Sequence, residues 1–180
     1  MAILKIIIEG DPCLRQKALK IKRVDAGIRR LAEDMYETML AAPGIGLAAP
    51  QIGVLLRMIT VDVPDDYYEE GERGASLTLI NPEIVKATGT QIEPAEGCLS
   101  IPHWVGDVPR AKRIVVKARD LDFREIRIRV EGMVARALQH EIDHLDGILF
   151  TDRVVDKSTL KYLPPTPDGQ PSAQEKALAE

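Results

Sequence analysis

Apolar residues between positions 27 and 42 recur with the period of an amphipathic helix. They follow an i, i+3, i+4, i+7 series made of Ile28, Leu31, Ala32, Met35, Tyr36, Met39 and Leu40. Asp25 stands before this series as a helix N-cap, and Pro43 with Gly44 ends it. The pattern therefore predicts a helix over residues 27–42.

A second helix is predicted over residues 133–146. Its apolar side chains form a stripe that would anchor it in the core, at Val134, Leu138, Ile142 and Leu145. Met133 and Ala137 lie on a different face, where they would form an apolar floor suited to a hydrophobic substrate side chain. Gly147 follows the last turn as a C-cap and marks the helix end.

Runs rich in Val, Ile and Thr, separated by Gly, Pro and Asp, predict strands paired in antiparallel hairpins. These strands cover residues 54–63, 77–80, 84–90, 113–118 and 125–130. Connecting segments are predicted as a turn or short strand at 14–15, a small-residue loop at 44–53 and a solvated acidic loop at 65–72. Antiparallel strands around one central helix, preceded by an N-terminal helix, indicate an α+β fold.

The length, composition and charge of the chain limit the kinds of protein that it can be. Its 180 residues, 45% of them hydrophobic, fit a single domain over 1–163 followed by a loosely ordered tail over 164–180. The formal net charge of −4 argues against a nucleic-acid-binding surface. Two distant cysteines do not form a disulfide framework, and no apolar run suits a membrane span or signal peptide. We therefore expect a cytoplasmic protein.

Residues 140–144 read His-Glu-Ile-Asp-His and form an H-E-x-x-H motif on the second predicted helix. At 100° per residue, His140 and His144 lie one turn apart on one face and can bind the same metal ion. Glu141 sits about a quarter turn away, where it can exchange a proton with water without being a ligand. The same pattern also arises by chance on surface helices, so its meaning depends on further ligands.

A catalytic metal site of this type usually takes three protein ligands and leaves one position for water. Cys98, within the E-G-C-L-S segment at 96–100, is the candidate third ligand because a thiolate binds divalent ions strongly. Cys13 is the competing candidate, but its apolar neighbours favour packing as a small hydrophobe. A buried structural cysteine stays the alternative for Cys98, and His103 is predicted to be a non-ligand.

Residues 44–51, with the sequence G-I-G-L-A-A-P-Q, form a segment poor in bulky side chains. Such a backbone can approach an extended ligand closely and pair with it. Gln51 adds a side-chain amide that can donate to a developing oxyanion. The alternative is a plain helix-to-strand turn. A phosphate loop is excluded because no Lys-Ser or Lys-Thr follows the second glycine.

These three segments together resemble the motifs of the peptide deformylase family, G-x-G-L-A-A-x-Q, E-G-C-L-S and Q-H-E-x-D-H-L-x-G. Every fixed position is matched, at 44–51, 96–100 and 139–147, and the similarity covers nearly the whole chain before the tail. The chain departs from the family at 100–104, where Ser-Ile-Pro-His-Trp replaces the common Ser-x-Pro-Gly. This departure concerns the outer substrate contacts and leaves the metal motifs intact.

The resemblance implies a metal-dependent amidase that removes the N-formyl group from the formylmethionine of nascent proteins and releases formate. It implies three metal ligands, namely Cys98, His140 and His144. Fe(II) is the usual ion of the family, and Ni, Co or Zn also suit such ligands. By the same resemblance, Glu141 is the general acid–base, while the Gln51 side chain and the Leu99 backbone N–H polarise the formyl oxygen.

Substrate contacts are also implied by the resemblance. Ile45 and Gly46 would pair with the peptide backbone, and Arg110 would steady the substrate side of the site. Met133 and Ala137 would receive the methionine side chain. The implied partners are N-formylmethionyl peptides emerging from the ribosome, and the enzyme is expected to be a monomer.

Two other functions share part of this pattern. A zinc peptidase of the H-E-x-x-H class usually draws a third histidine or glutamate from a later helix. No histidine follows His144, and Glu175 and Glu180 lie in the predicted tail. A structural metal site, or a degenerate homologue that only binds ribosomes or peptides, would need a lost base or a closed fourth position. Glu141 and Gln51 are both present, which disfavours this second alternative.

Overall fold

A computed structural model of the chain describes residues 2–64, 74–92 and 95–164. The acidic loop predicted at 65–72 lies outside the described residues, as does almost all of the tail predicted at 164–180. The boundary between domain and tail therefore stays a prediction. Among the described residues, no helix combines the length and the apolar character needed to cross a membrane.

The described residues form two antiparallel sheets and three α-helices. The helices are α1 (Ala26–Ala41), α2 (Gly132–Leu145) and α3 (Phe150–Arg153). The strands are β1 (Gly46–Ala48), β2 (Met58–Val63), β3 (Ala75–Thr88), β4 (Glu96–Cys98), β5 (Ile101–Gly106), β6 (Arg113–Arg119), β7 (Glu125–Glu131) and β8 (Lys161–Tyr162). The larger sheet has the order β1-β2-β3-β6-β7, and the smaller sheet has the order β4-β5-β8. The predicted α+β fold around a central helix is confirmed.

Helix α1 begins at the predicted cap. The Asp25 side chain accepts a hydrogen bond from the backbone N–H of Ile28, which satisfies one of the free donors of the first turn. Met35 and Met39 are fully buried and pack with Leu47 at the start of the larger sheet. The helical period of the apolar residues is thus explained by packing of one face against this sheet.

Helix α2 lies at the centre of the molecule. The predicted stripe is buried, at Val134, Leu138, Ile142 and Leu145. His140, Glu141 and His144 are buried as well, because this helix is enclosed on its polar face too. The helix ends at Leu145, one residue before its predicted end. Gly147 follows it with a φ of +73°, which glycine readily adopts, and a Cβ there would lie 2.6 Å from the Arg15 carbonyl oxygen.

Three apolar clusters make up the core. One lies between α2 and the larger sheet, the second between α1 and strands β1 and β2, and the third beneath β5 and α3. Side chains of the N-terminal segment reach two of them, since Ile6 packs against the second cluster and Ile7 against the third. Cys98 also borders the third cluster.

The strand predicted over 54–63 is too long. Only Met58–Val63 joins the sheet, because Gly53 adopts a φ of +77° at the end of a 3-10 turn and redirects the chain. Leu55 and Arg57 bond instead to Leu19, whose N–H donates to the Leu55 carbonyl and whose carbonyl accepts from the Arg57 N–H, both at 2.9 Å. These bonds form an isolated bridge between Leu19 and Leu56. They satisfy backbone N–H and C=O groups that the predicted strand would have paired along a ladder.

The two strands predicted at 77–80 and 84–90 are one strand, β3. Asn81 has a φ of +51° and Pro82 follows it, and the pairing with β6 shifts register at this point. The Asn81 side chain bonds both the N–H and the carbonyl of Ile21, which stabilises the irregularity. An Asn-Pro pair therefore marks a bulge within a strand here and not its end.

Several short elements were absent from the sequence prediction. The small-residue loop at 44–53 contains strand β1 and the 3-10 turn Ala49–Ile52. Strands β4, β5 and β8 were not predicted either, because they are short or lack an alternating pattern. The segment at 14–15 belongs to a 3-10 turn, Pro12–Arg15, which the Asp11 side chain caps.

Candidate metal centre

Cys98, His140 and His144 converge on one point. Their ligand atoms all lie within 4.8 Å of one another. The Cys98 Sγ lies 3.3 Å from the Nε2 atom of His144, and that nitrogen lies 3.2 Å from the Nε2 atom of His140. The cysteine ends β4 and both histidines belong to α2, so the triad joins the small sheet to the central helix. Cys13 lies elsewhere, with its thiol 3.8 Å from the Pro50 carbonyl.

The donor set of this triad fits a divalent transition metal. Two imidazoles and a thiolate are ligands that Zn, Fe, Co and Ni accept, with bond lengths of about 2.0–2.3 Å to Zn. Donor atoms within 4.8 Å of one another can therefore surround a single ion. The residues present consequently fit a bound metal.

Glu96 orients one of the ligands. Its Oε2 atom lies 3.0 Å from Nδ1 of His140, so the ring can donate from Nδ1 and keep Nε2 free for an ion. Burial alone would raise the pKa of Glu96, but hydrogen bonds from Arg110 and His140 hold this pKa well below its usual range. Arg136 also donates to Glu96, at 2.8 Å.

No role for Glu96 was predicted from the sequence. Its only signal is its place in the E-G-C-L-S motif, two residues before Cys98. The pairing with His140 spans 44 residues, so no local period could indicate it.

Arg110 was expected on the substrate side of the site, and its observed contacts are different. All three guanidinium nitrogens bond to carboxylates, with Nε and Nη2 donating to Glu96 and Nη1 donating to Asp143 at 2.6 Å. The side chain is only 5% exposed. The structure thus places Arg110 as a support for Glu96 and Asp143, and a direct substrate contact stays a prediction.

Glu141 is buried beside strand β1. Its Oε2 atom is buried and has no hydrogen-bond partner among the described residues. Burial raises the pKa of Glu141 to about 7, a value suited to both accepting and donating a proton near neutral pH. Gly46 lies directly against this side chain, since a Cβ at position 46 would be 2.9 Å from the Glu141 Cδ.

Gln51 is held against the cysteine segment. Its Oε1 atom accepts from the Ala48 N–H at 2.8 Å, which turns the amide nitrogen away from β1. That nitrogen donates to Ser100 Oγ at 3.3 Å and lies 3.6 Å from Cys98 Sγ. Leu99 directly follows Cys98, and its side chain lies against Gly44, where a Cβ would be 2.7 Å away. Gln51 and Leu99 thus border the triad.

The remaining predicted substrate residues lie in one apolar cluster. Ala137 is buried within the cluster around α2, and Met133 and Ile45 pack against it while keeping partial exposure. A groove of about 1040 Å³ on the sheet of β3, β6 and β7 contains none of the predicted site residues.

His103 and Trp104 lie apart from the triad. Both contact Tyr162 of β8, with ring centroids 6.0 Å and 5.6 Å away. Trp104 is 42% exposed, which agrees with half-buried packing.

The fold and the site together define the class of this protein. It is a small α+β protein whose candidate metal centre combines one cysteine with the two histidines of an H-E-x-x-H motif, a motif typical of metal-dependent hydrolases. The sequence matches the family described as "Polypeptide deformylase" over residues 3–159. It is 61% identical over 164 residues to a peptide deformylase of Thermomicrobium roseum. These aligned residues cover 91% of this chain and 93% of that protein.

Solved structures give the same result. A peptide deformylase of Ehrlichia chaffeensis in complex with actinonin superposes with a TM-score of 0.82 at 37% identity, over 88% of this chain and 92% of that one. A class I type b peptide deformylase of Acinetobacter baumannii bound to Met-Ala-Ser has a TM-score of 0.79 at 33% identity, over 85% of this chain and 99% of that one.

The chain belongs to the peptide deformylase family. It is an enzyme that removes the N-formyl group from nascent peptides. Members of this family depend on a metal, and the triad of Cys98, His140 and His144 is the candidate site for it.

Proposed function

We propose that this chain is a metal-dependent deformylase in which Cys98, His140 and His144 hold one divalent ion, with Fe(II) the ion in the cell and Ni, Co or Zn as substitutes. The convergence of the three donor atoms within 4.8 Å carries this proposal. When bound, the ion would polarise the formyl oxygen and lower the pKa of the attacking water.

Glu141 would move the proton. Its unpartnered Oε2 atom can take a proton from the attacking water as the new C–O bond forms at the formyl carbon. The same oxygen then delivers this proton to the departing amine nitrogen as the C–N bond breaks. The products are formate and a peptide with a free N-terminus.

Gln51 and Leu99 would stabilise the negative charge that develops on the formyl oxygen. The Gln51 Nε2 and the Leu99 backbone N–H are the proposed donors, and preorganised donors of this kind add large transition-state stabilisation. The proposal is supported by the 3.6 Å separation between Gln51 Nε2 and Cys98 Sγ, which places the amide beside the triad.

The peptide would bind as an extended strand. Strands β1 and β4 each lie at the edge of their sheet, and the contact between Gly44 and Leu99 brings the two segments together. Ile45 and Gly46 would pair with the peptide backbone, and its methionine side chain would lie against Met133 and Ala137. The Acinetobacter relative was solved with Met-Ala-Ser bound, a peptide that begins with Met. We further propose that the enzyme acts as a cytoplasmic monomer on chains emerging from the ribosome.

Formate release tests this function. Protein prepared without oxygen and loaded with Fe(II) is expected to release one formate per formyl-Met-Ala consumed, measured with a coupled formate assay. Acetyl-Met-Ala serves as the matched control and should stay intact. A metal-loaded protein that cleaves internal peptide bonds while leaving the formyl group in place contradicts the proposal.

Replacing Gly46 with alanine is expected to lower kcat by about 10²-fold. The new methyl group would overlap the Glu141 carboxylate, because the Cβ position lies 2.9 Å from its Cδ atom. Displacing this carboxylate by a fraction of an ångström misplaces the proton acceptor. The Gly27→Ala variant in α1 is the control, and it should keep the wild-type kcat. Equal kcat values for both variants would show that β1 does not constrain Glu141.

A further inference from the structure

We propose that residues 2–9, here called the N-terminal strap, position the two oxyanion donors of the deformylation reaction. This inference rests on the proposed roles of Gln51 and Leu99. The strap touches neither substrate nor metal in the proposed mechanism, and it acts through the two segments to which it is bonded.

The strap bonds directly to both donor segments. The Ile7 N–H donates to the Gln51 carbonyl at 2.8 Å, and the Glu9 N–H donates to the Ser100 carbonyl at 2.8 Å. Ser100 follows Leu99, so one bond holds each donor segment. The two bonds come from residues two positions apart on an extended chain, which fixes the spacing of the segments.

The strap is itself anchored at its other end. The Ala2 N–H donates to Asp34 at 2.7 Å and the Leu4 N–H donates to the Thr38 hydroxyl at 2.9 Å, both on helix α1. Ile6 packs against the second apolar cluster and Ile7 against the third. The strap therefore joins α1, the Gln51 turn and the cysteine segment into one unit.

The donor segments need such support because their own regular structure is short. Gln51 lies in a four-residue 3-10 turn, and Leu99 lies between strand β4 of three residues and strand β5. The Gln51 amide nitrogen connects the segments directly, through its contacts with Ser100 Oγ at 3.3 Å and Cys98 Sγ at 3.6 Å. The strap adds a backbone connection to these side-chain contacts. Losing it would let the two donors move apart.

The test removes single N–H groups from the strap. An α-hydroxy analogue of isoleucine at position 7 replaces the N–H with an ester oxygen and breaks the bond to Gln51. We expect kcat for formyl-Met-Ala to fall about tenfold, with KM and metal stoichiometry unchanged. An ester at Glu9, which breaks the bond to Ser100, should act in the same direction. An ester at Ile8 is the control, because its N–H has no hydrogen-bond partner in the described parts of the chain.

A double-mutant cycle separates positioning from general destabilisation. In the Gln51→Met variant, which lacks the donor amide, the Ile7 ester should lower kcat less than twofold further. An equal loss in both backgrounds, or a loss of kcat that the Ile8 ester reproduces, overturns the strap proposal. A wild-type protein that releases no formate contradicts the proposed function itself, so the two failures are distinguishable.

Discussion

Replacing Glu141 with glutamine is expected to lower kcat by roughly 10²–10⁴-fold while leaving one equivalent of metal bound. The amide has nearly the same shape as the carboxylate but cannot accept the proton from water. Glu141 is not a member of the triad, whose ligand atoms come from Cys98, His140 and His144. Steady-state formate release, paired with metal analysis of the same sample, measures both quantities.

The Glu131→Gln variant provides the matched control for this experiment. Glu131 is exposed, pairs with Arg113 and lies at the end of β7, so its substitution should leave kcat unchanged. A Glu141→Gln protein that keeps a kcat within a few-fold of wild type would show that another group moves the proton. Loss of the metal from this variant would show that Glu141 supports the ligands instead.

The helices were predictable from sequence because their signals are local. The period of the apolar residues, the cap at Asp25 and the glycine at 147 placed both long helices within one residue of their observed ends. Strands were harder to place, because an apolar run does not reveal where pairing stops. Gly53 redirects the chain before β2, and the Asn81-Pro82 bulge joins the two predicted strands into β3. The bulge is held by bonds from Asn81 to Arg57 and Ile21, which lie far away along the chain.

The three candidate ligands were predicted from two motifs, E-G-C-L-S and H-E-x-x-H, together with the family resemblance, and the structure brings their donor atoms within 4.8 Å of one another. The supports of these ligands were not predictable. Glu96 reaches His140 across 44 residues and Arg136 across 40, and Arg110 turns out to bond to both Glu96 and Asp143. Such pairs depend on how β4 packs against α2, which no period along the chain encodes. The contact between Gly46 and Glu141 is of the same kind.

Replacing Cys98 with alanine is expected to remove the metal and, with it, the turnover. The variant keeps His140 and His144, but two imidazoles leave the ion with one ligand fewer than the three protein ligands typical of catalytic centres. Loss of an outer partner of a ligand already costs roughly 10–100-fold in metal affinity, so loss of a ligand itself should cost more. Competition with a chelator of known affinity measures this change, and the formate assay follows it.

Cys13 supplies the matched control because the chain contains two cysteines and only one of them lies in the triad. The Cys13 thiol contacts the Pro50 carbonyl at 3.8 Å, so Cys13→Ala should keep wild-type metal affinity and kcat. Thermal unfolding of the metal-free proteins separates the effects, since neither variant should destabilise the fold much without metal. Added metal should then raise the unfolding temperature of Cys13→Ala but not that of Cys98→Ala, because only an ion bound to the native state stabilises it. Equal metal affinity in the two variants would show that Cys98 is not a metal ligand. The two histidines of α2 would then need a different third ligand.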